Sequence, residues 1–454
     1  MRKIFFIFII IFCAGMRIFP QQITGTWNGV LNTATLTLPI VFHIEQTENG
    51  YSTLMDSPNQ GAKGIVTTTT VLEKHRLTIN IARLFAVFEG KVKKNMIKGT
   101  FTQRGSTFDL VLTRGTANYK RPQDPQPPYP YISEDIQFEN KSAGITLAGT
   151  FTCPSRGNNF PVAVLISGSG AQNRDEEVFN HRPFHILSDY LSRCGIAVLR
   201  YDDRGTGASQ GVYHTATLED FALDAAAALS YLHSRKEINP QKTGLIGHSE
   251  GASIAFMLGG KDTTLAFIVS MAGAAIEGDS LMKLQRYFIS KAMNVSEKDM
   301  AENEKLVEAM NILIQEHTAD SVFNHPELFV DEIIPSKMKN NATVRNSYSK
   351  ELIKLASPEI QSFLRYNPAE DLQKIKCSVL AINGEKDLQV PAAINLDNFG
   401  KRISSNLTIK QYPQLNHLFQ HAQTGLVSEY GSIEETISPE VIEDIAQWIL
   451  QVTD

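Results

Sequence analysis

Between Ile23 and about Arg114, apolar and polar residues alternate in short runs. Examples are Thr35-Leu36-Thr37-Leu38, Leu77-Thr78-Ile79-Asn80-Ile81 and Phe108-Asp109-Leu110-Val111-Leu112. Successive side chains of a strand point to opposite faces, so period-two alternation predicts half-buried strands; Asn49-Gly50, between two such runs, predicts a hairpin turn. Seven or eight strands of this kind make a small all-β, barrel-like domain over residues 22–118. Pro122, Pro125, Pro127, Pro128 and Pro130 crowd the next stretch. Proline removes backbone donors and favours extended geometry, so residues 119–130 read as a semi-rigid linker.

Beyond the linker the pattern changes. Ile132–Phe138 and Ile145–Phe151 predict a strand pair. Val162–Ile166, Ile196–Arg200, Thr243–Ile246, Phe267–Met271, Val379–Ile382 and Leu407–Lys410 are short, strongly apolar runs and predict buried strands. Between them, Phe184–Arg193 and Leu218–Arg235 have helical periodicity, the second opened by Thr217 and Asp220 as a capping box. Buried strands alternating with helices require a mostly parallel sheet covered on both faces. The rhythm breaks over residues 276–367, where Leu306, Val307, Met310 and Leu313 recur at helical spacing after a cap at Ser296. This predicts a helical cap inserted between sheet strands and lying over their carboxyl edge. The α/β core then falls in two parts, residues 131–275 and 368–454.

Composition narrows the function. The chain has 454 residues, 42% hydrophobic and 20% charged, which supports sizeable cores and argues against disorder. Lys and Arg total 43 against 48 Asp and Glu, a net charge of −5, and no basic block appears, so nucleic acid is not an expected partner. Arg2 and Lys3 precede an apolar run from Ile4 to Ala14 that is too short to span a bilayer. Residues 1–21 therefore read as a secretory signal, and the mature protein is expected to be exported, periplasmic or secreted, without a stable membrane anchor. Cys153, Cys194 and Cys377 then remain, too scattered for a disulfide framework or a metal-ligand spacing.

The chemistry centres on a glycine-flanked serine. Gly247-His248-Ser249-Glu250-Gly251 matches the G-x-S-x-G elbow, in which a strained strand-to-helix turn lifts a serine hydroxyl above the sheet edge. Gly207-Ala208-Ser209-Gln210-Gly211 matches as well. Only Ser249 follows an apolar strand and opens a helix-compatible run; Ser209 lies in the polar loop beginning Asp202-Asp203-Arg204-Gly205.

A serine hydroxyl is a weak nucleophile until a neighbouring base takes its proton. For a serine on such an elbow, the acid and the histidine follow in that order on loops after later strands. Asp387, in the turn after Ser378–Ile382, fits the acid, with Glu385 as its nearest rival; Asp371 precedes the strand. His417, shortly after the last core strand, fits the base, with His421 as its rival. The backbone N–H of Glu250 is the first expected oxyanion donor. The second is expected from Ile166-Ser167-Gly168-Ser169-Gly170, where Ser169 is favoured by position and Gly170 is next. The pairs His417/His421 and His181/His185 have metal-like spacing but lack an H-E-x-x-H glutamate or a third ligand, so no metal and no cofactor are expected.

From Tyr131 to the C-terminus the chain resembles the α/β-hydrolases with a helical cap. Within them it is similar to secreted two-domain bacterial esterases of the esterase-D type, the serine-aminopeptidase-like hydrolases. The stretches Ser167–Glu176, Asp202–Gly207, Gly247–Gly251 and Gly384–Pro391 carry the closer likeness. The resemblance implies an N-terminal β domain and carboxylesterase activity on small acyl esters through Ser249, Asp387 and His417. It also implies that the Asp-Asp-Arg-Gly loop braces the site.

Two other readings remain open. A serine (amino)peptidase would need an acidic anchor for an amino group, for which Glu176, Glu177 and Glu250 are available, although each has an ordinary solvated explanation. A non-catalytic binding module on a hydrolase scaffold would usually have lost a triad member. Enzymes with a carboxylate nucleophile at the elbow are disfavoured by Ser249. The residues fix neither the natural ester nor the oligomeric state.

Overall fold

A computed structural model of the protein describes residues 23–32, 37–57, 62–103, 105–115 and 121–454; the leader expected over residues 1–21 lies outside them. The chain divides into two compact units, Met1–Asn118 and Tyr119–Asp454.

The first unit carries β1 (Gly25–Asn32), β2 (Thr37–Thr47), β3 (Gly50–Ser57), β4 (Ala62–Val66), β5 (Thr69–Glu73), β6 (Arg76–Ile81), β7 (Ala86–Lys93), β8 (Met96–Gln103) and β9 (Ser106–Arg114). All their pairings are antiparallel. The order runs β2-β1-β9-β8-β7-β6-β5-β3, and β2 also pairs with β3, so among the described residues eight strands close into a barrel. Closure leaves no open edge among these eight. β4 is a ninth strand added on β3, one more than expected from the sequence. It lacks a full apolar stripe: Val66 is exposed, and Gly64 offers no side chain. The inward residues of the other strands, including Trp27, Phe42, Phe88, Leu110 and Leu112, fill the barrel interior. The guanidinium of Arg114 caps the Trp27 ring at 4.5 Å.

The second unit carries a sheet of β10 (Tyr131–Asn140), β11 (Ile145–Pro154), β12 (Phe160–Ile166), β13 (Ala197–Tyr201), β14 (Ile238–His248), β15 (Phe267–Met271), β16 (Ser378–Gly384) and β17 (Leu407–Tyr412). Their order is β10-β11-β13-β12-β14-β15-β16-β17. β10 and β11 run antiparallel, and β13 through β17 run parallel to one another. The apolar runs are continuous because both faces are buried: Val162, Val164 and Ile166 of β12 enter one core, Ala163 and Leu165 the other. Helices α1 (Pro183–Arg193), α2 (Leu218–His233) and α3 (Glu250–Gly259) connect these strands. Phe221 and Leu229 of α2 and Phe256 of α3 pack on the first face, whereas Leu187 and Leu191 of α1 pack on the second. Thr217 and Asp220 form the expected capping box at the start of α2.

Between β15 and β16 the chain inserts α4 (Gly278–Ala292), α5 (Glu297–His317), α6 (Ala319–Asn324), α7 (Pro326–Ile333), α8 (Ala342–Ala356) and α9 (Pro358–Arg365). Ser296 caps α5 through the Asp299 N–H. Met310, Leu313, Val322, Val330 and Leu352 give this cap a core of its own. Helices α10 (Ala369–Lys374), α11 (Ala392–Arg402), α12 (Val427–Tyr430) and α13 (Pro439–Thr453) complete the unit.

Strand order fixes where chemistry can occur. β12 lies between β13 and β14, so the chain leaves β12 toward one side and returns on the other. Loops leaving the carboxyl ends of strands at such a reversal diverge and open a crevice. The loops after β12 and β14 do so here.

Candidate active site

Ser249 is the single residue between β14 and α3, with φ 52° and ψ −117°. A non-glycine residue there is strained, and the surroundings hold it. Its N–H donates to Met271 O at 2.9 Å, and its carbonyl accepts the Ala252 N–H at 3.1 Å. The flanking glycines are needed for room. A β-carbon on Gly247 would lie 2.5 Å from Ala252 N, and one on Gly251 would lie 2.6 Å from Ser167 O. Helix α3 therefore abuts the end of β12 directly. Ser209 is a loop brace: its hydroxyl donates to Asp202 O at 2.7 Å and accepts the Ala148 N–H at 2.9 Å.

Asp387 follows β16 and His417 follows β17. His417 Nδ1 lies 2.7 Å from Asp387 Oδ2, and Asp387 Oδ1 accepts the Gln389 and Val390 N–H groups, each at 2.8 Å. A carboxylate only accepts, so Nδ1 carries a ring proton, and in the neutral imidazole this leaves Nε2 as the acceptor. The two side chains are buried in fixed loops. Asn383 Nδ2 donates to Val390 O at 2.8 Å behind Asp387, and Asn416 Oδ1 accepts the Leu418 and Gln420 N–H groups at 3.0 Å around His417. The rivals are engaged elsewhere. Glu385 accepts the Gln414 N–H, Asp371 accepts the Tyr366 hydroxyl, and exposed His421 pairs with Glu435.

Ser249, His417, Ser169 and Glu250 line one cavity of about 330 Å³. Its walls are mostly apolar: Val178 and Phe179 from the core, Leu281 and Met282 from α4, Ile360 and Phe363 from α9. In the loop after β12, the Gly168 N–H donates to Glu176 Oε1 at 2.7 Å and the Gly170 N–H to Glu359 Oε1 at 3.3 Å. Both of these amides, which sequence reasoning had as alternatives or neighbours of the oxyanion donor, are thus taken by carboxylates. Among the described residues none accepts from the Ser169 N–H or from that of Glu250, which opens α3. The first amides of a helix lack intrahelical partners and carry the positive end of its dipole. The cavity therefore offers a serine hydroxyl, a histidine oriented through Nδ1 by an aspartate, and two unclaimed amides.

Glu176 and Glu250 correct the expectation of solvated carboxylates: both are buried. Burial, reinforced by the carboxyls of Glu359 and Asp203, pushes Glu250 far above the usual carboxylate range. Asp203 is pushed up to about 8 by burial, against the hydrogen bonds it accepts from the Gln172 N–H and the Ser167 hydroxyl. His248 Nδ1 lies 2.7 Å from Glu176 Oε1, and its Nε2 lies 3.0 Å from the His417 carbonyl oxygen. Burial opposes charge on this ring, yet the Glu176 carboxylate holds His248 above its ordinary range. Around this centre ion pairs tie two of the quoted stretches to each other and to their neighbours. Arg174 binds Asp202 at 2.8 Å, Arg200 binds Asp175, and Arg204 binds Asp224 at 2.7 Å. Sequence reasoning missed the Glu176–His248 pair, although both residues stood inside stretches already singled out.

Both members of the remaining histidine pair are buried. His181 is buried against the Thr436 hydroxyl at 2.9 Å, and burial lowers it to about 4; His185 is also buried, and burial lowers it as well. Among the described residues no group of three or more His, Cys, Asp and Glu side chains is placed to hold a metal ion.

A parallel sheet of this order, with its serine raised at the carboxyl end of β14, is the framework of the α/β-hydrolases, and the enzyme is a serine hydrolase. The family model described as serine aminopeptidase, S33, matches residues 181–422, over half of the sequence, and the chain belongs to that family. It is 24% identical over 357 residues to esterase EstD of Thermotoga maritima, covering 78% of this chain and 76% of that protein. It is 24% identical over 269 residues to polyketide transferase claH of Penicillium crustosum, covering 57% and 82%. A solved structure of Est1E from Butyrivibrio proteoclasticus, with ferulic acid bound, aligns over 70% of this chain and 98% of its own, at 15% identity and a TM-score of 0.41.

Proposed function

We propose that the protein is an exported carboxylesterase that cleaves short-chain acyl esters through Ser249, His417 and Asp387. The observation that carries this reading is the Asp387–His417 hydrogen bond of 2.7 Å at the wall of the cavity that also holds Ser249. In the first half-reaction the Ser249 hydroxyl adds to the acyl carbonyl as His417 Nε2 takes its proton. The Ser169 and Glu250 amides receive the oxyanion. His417 then returns the proton to the departing alcohol oxygen, leaving an acyl-serine. In the second half-reaction His417 takes a proton from water as its oxygen adds to the acyl carbon, the acyl–Oγ bond breaks to release a carboxylic acid, and Ser249 regains its proton from His417.

The substrate class follows from the walls. Ligand pockets span roughly 300–1,000 Å³, so about 330 Å³ with walls that are apolar over most of their area favours a small acyl group. An aminopeptidase would place an ionised carboxylate where an ammonium group could reach it. Glu176 is committed to His248 and the Gly168 amide, and Glu250 is buried with its carboxyl pushed far above the usual range, which favours the ester. Export is supported by the basic, then apolar, start of the sequence. No helix among the described residues is long and apolar enough to cross a membrane.

The test is a panel of p-nitrophenyl acetate, butyrate and octanoate beside aminoacyl-p-nitroanilides, run with wild type and Ser249→Ala. The expected result is ester turnover that favours the shorter chains and is lost on substitution. Turnover of the anilides alone would assign a peptidase, and ester turnover surviving in Ser249→Ala would refute the mechanism.

A further inference from the structure

We propose that Glu176 and His248 form a buried positioning pair that locks the loop carrying the Ser169 amide to the turn carrying His417. The proposal rests on the esterase reading above and names the parts that hold its two halves in register.

The pair joins three separate loops. Glu176, in the stretch after β12, accepts the Gly168 N–H at 2.7 Å, immediately before the amide assigned to the oxyanion. The same oxygen faces His248 Nδ1 at 2.7 Å. His248, immediately before Ser249, directs Nε2 at the carbonyl oxygen of His417 at 3.0 Å. A carbonyl oxygen only accepts, so Nε2 carries a proton. The oxygen facing Nδ1 already accepts an amide, so Nδ1 donates as well. Both ring nitrogens are therefore committed, and the ring lies beside that of His417 with centroids 4.8 Å apart.

Burial of an ion pair is weak grounds for stability, because desolvation offsets much of the attraction. Here Glu176 and His248 are only 3% and 5% exposed, and Glu176 is held at a positive φ of 50°. An apolar pair of similar volume would fill the space without that cost. It would leave the Gly168 amide and the His417 carbonyl untethered. These two backbone groups adjoin the oxyanion donor and the general base, and both must stay in place while charge moves between them. A displacement of about 1 Å in such a constellation costs about 10²-fold in rate.

The test compares wild type, Glu176→Ala, Glu176→Gln and His248→Asn for kcat and KM on p-nitrophenyl butyrate, with rates expressed per fluorophosphonate-titrated site and the unfolding midpoint measured alongside. Glutamine keeps an oxygen able to accept from both the Gly168 N–H and the His248 Nδ1–H, while removing the negative charge. Asparagine at 248 keeps a donor toward Glu176 but does not reach the His417 carbonyl. Expected are a loss of about 10²-fold in kcat for Glu176→Ala with KM within about threefold, and recovery to within about tenfold of wild type in Glu176→Gln. His248→Asn should show the same split, and it decides the question if Glu176→Ala does not fold. A kcat per titrated site within about twofold of wild type in both Glu176→Ala and His248→Asn, whatever the change in midpoint, would overturn the proposal. Wild type without ester turnover would remove the esterase reading and this inference together.

Discussion

His417 Nδ1 stands 2.7 Å from Asp387 Oδ2, although 30 positions and strand β17 separate the two residues. The other oxygen of Asp387 is filled by two backbone amides, so the carboxylate has one task left, to hold the imidazole proton on Nδ1. Asparagine at 387 could present its amide nitrogen to the ring and stabilise the wrong tautomer. Steady-state kinetics of Asp387→Asn should show kcat reduced by about 10⁴-fold with the unfolding midpoint close to wild type. Glu385→Gln should stay within about twofold of wild type, because among the described residues the Glu385 carboxylate serves only the Gln414 amide.

The elbow depends on the absence of two side chains. Gly251→Ala would drive a β-carbon into the carbonyls at the end of β12, which cannot rotate away as a side chain would. Scanning calorimetry should record a destabilisation of about 1–3 kcal/mol, accompanied by loss of ester turnover. Gly400→Ala is the matched control. It lies in α11, where the nearest atom to an added β-carbon is the Ile409 side chain at 3.8 Å, and there alanine should leave stability unchanged or raise it by up to about 1 kcal/mol.

Asp203 gives the alkaline side of the stability profile. In the folded protein its carboxyl keeps a proton up to about 8, whereas in the unfolded chain it ionises near the ordinary aspartate value of about 4. Between those values the folded state binds more protons, so this group's contribution is greatest below about pH 4 and falls as pH rises toward 8. Urea unfolding of wild type and Asp203→Asn at pH 5 and pH 9 isolates the effect. Wild type should lose more stability over that interval than the variant does, and equal losses would show that Asp203 does not titrate in this way.

Elements whose stabilising contacts are near in sequence, or periodic, were readable. The buried strands from Val162 to Ile382 announced themselves by apolar runs, and α2 by Thr217 and Asp220; the run Leu407–Lys410 also forms a strand, but β17 is the sheet's edge and largely exposed rather than buried. Ser249 was separable from Ser209 because strand, turn and helix are all local. What was not readable depends on pairing across distance. Alternation in the first unit specifies strands but not that β2 meets both β1 and β3, which is what closes the barrel. Glu176 and His248 are 72 positions apart, and nothing in either residue's spacing says that a glutamate in a polar loop will be buried against the elbow. Position in the loop favours Ser169 over Gly170, but nothing in the sequence says that Glu176 and Glu359 will occupy the amides of Gly168 and Gly170.

The most direct test of the assignment is to treat the protein with a fluorophosphonate and locate the adduct by peptide mass spectrometry while following ester hydrolysis. One adduct per chain, on Ser249, formed in step with loss of turnover and absent from Ser249→Ala, is the expected result. Modification of Ser209 or another residue in step with inactivation, or full activity after Ser249 is modified, would contradict it.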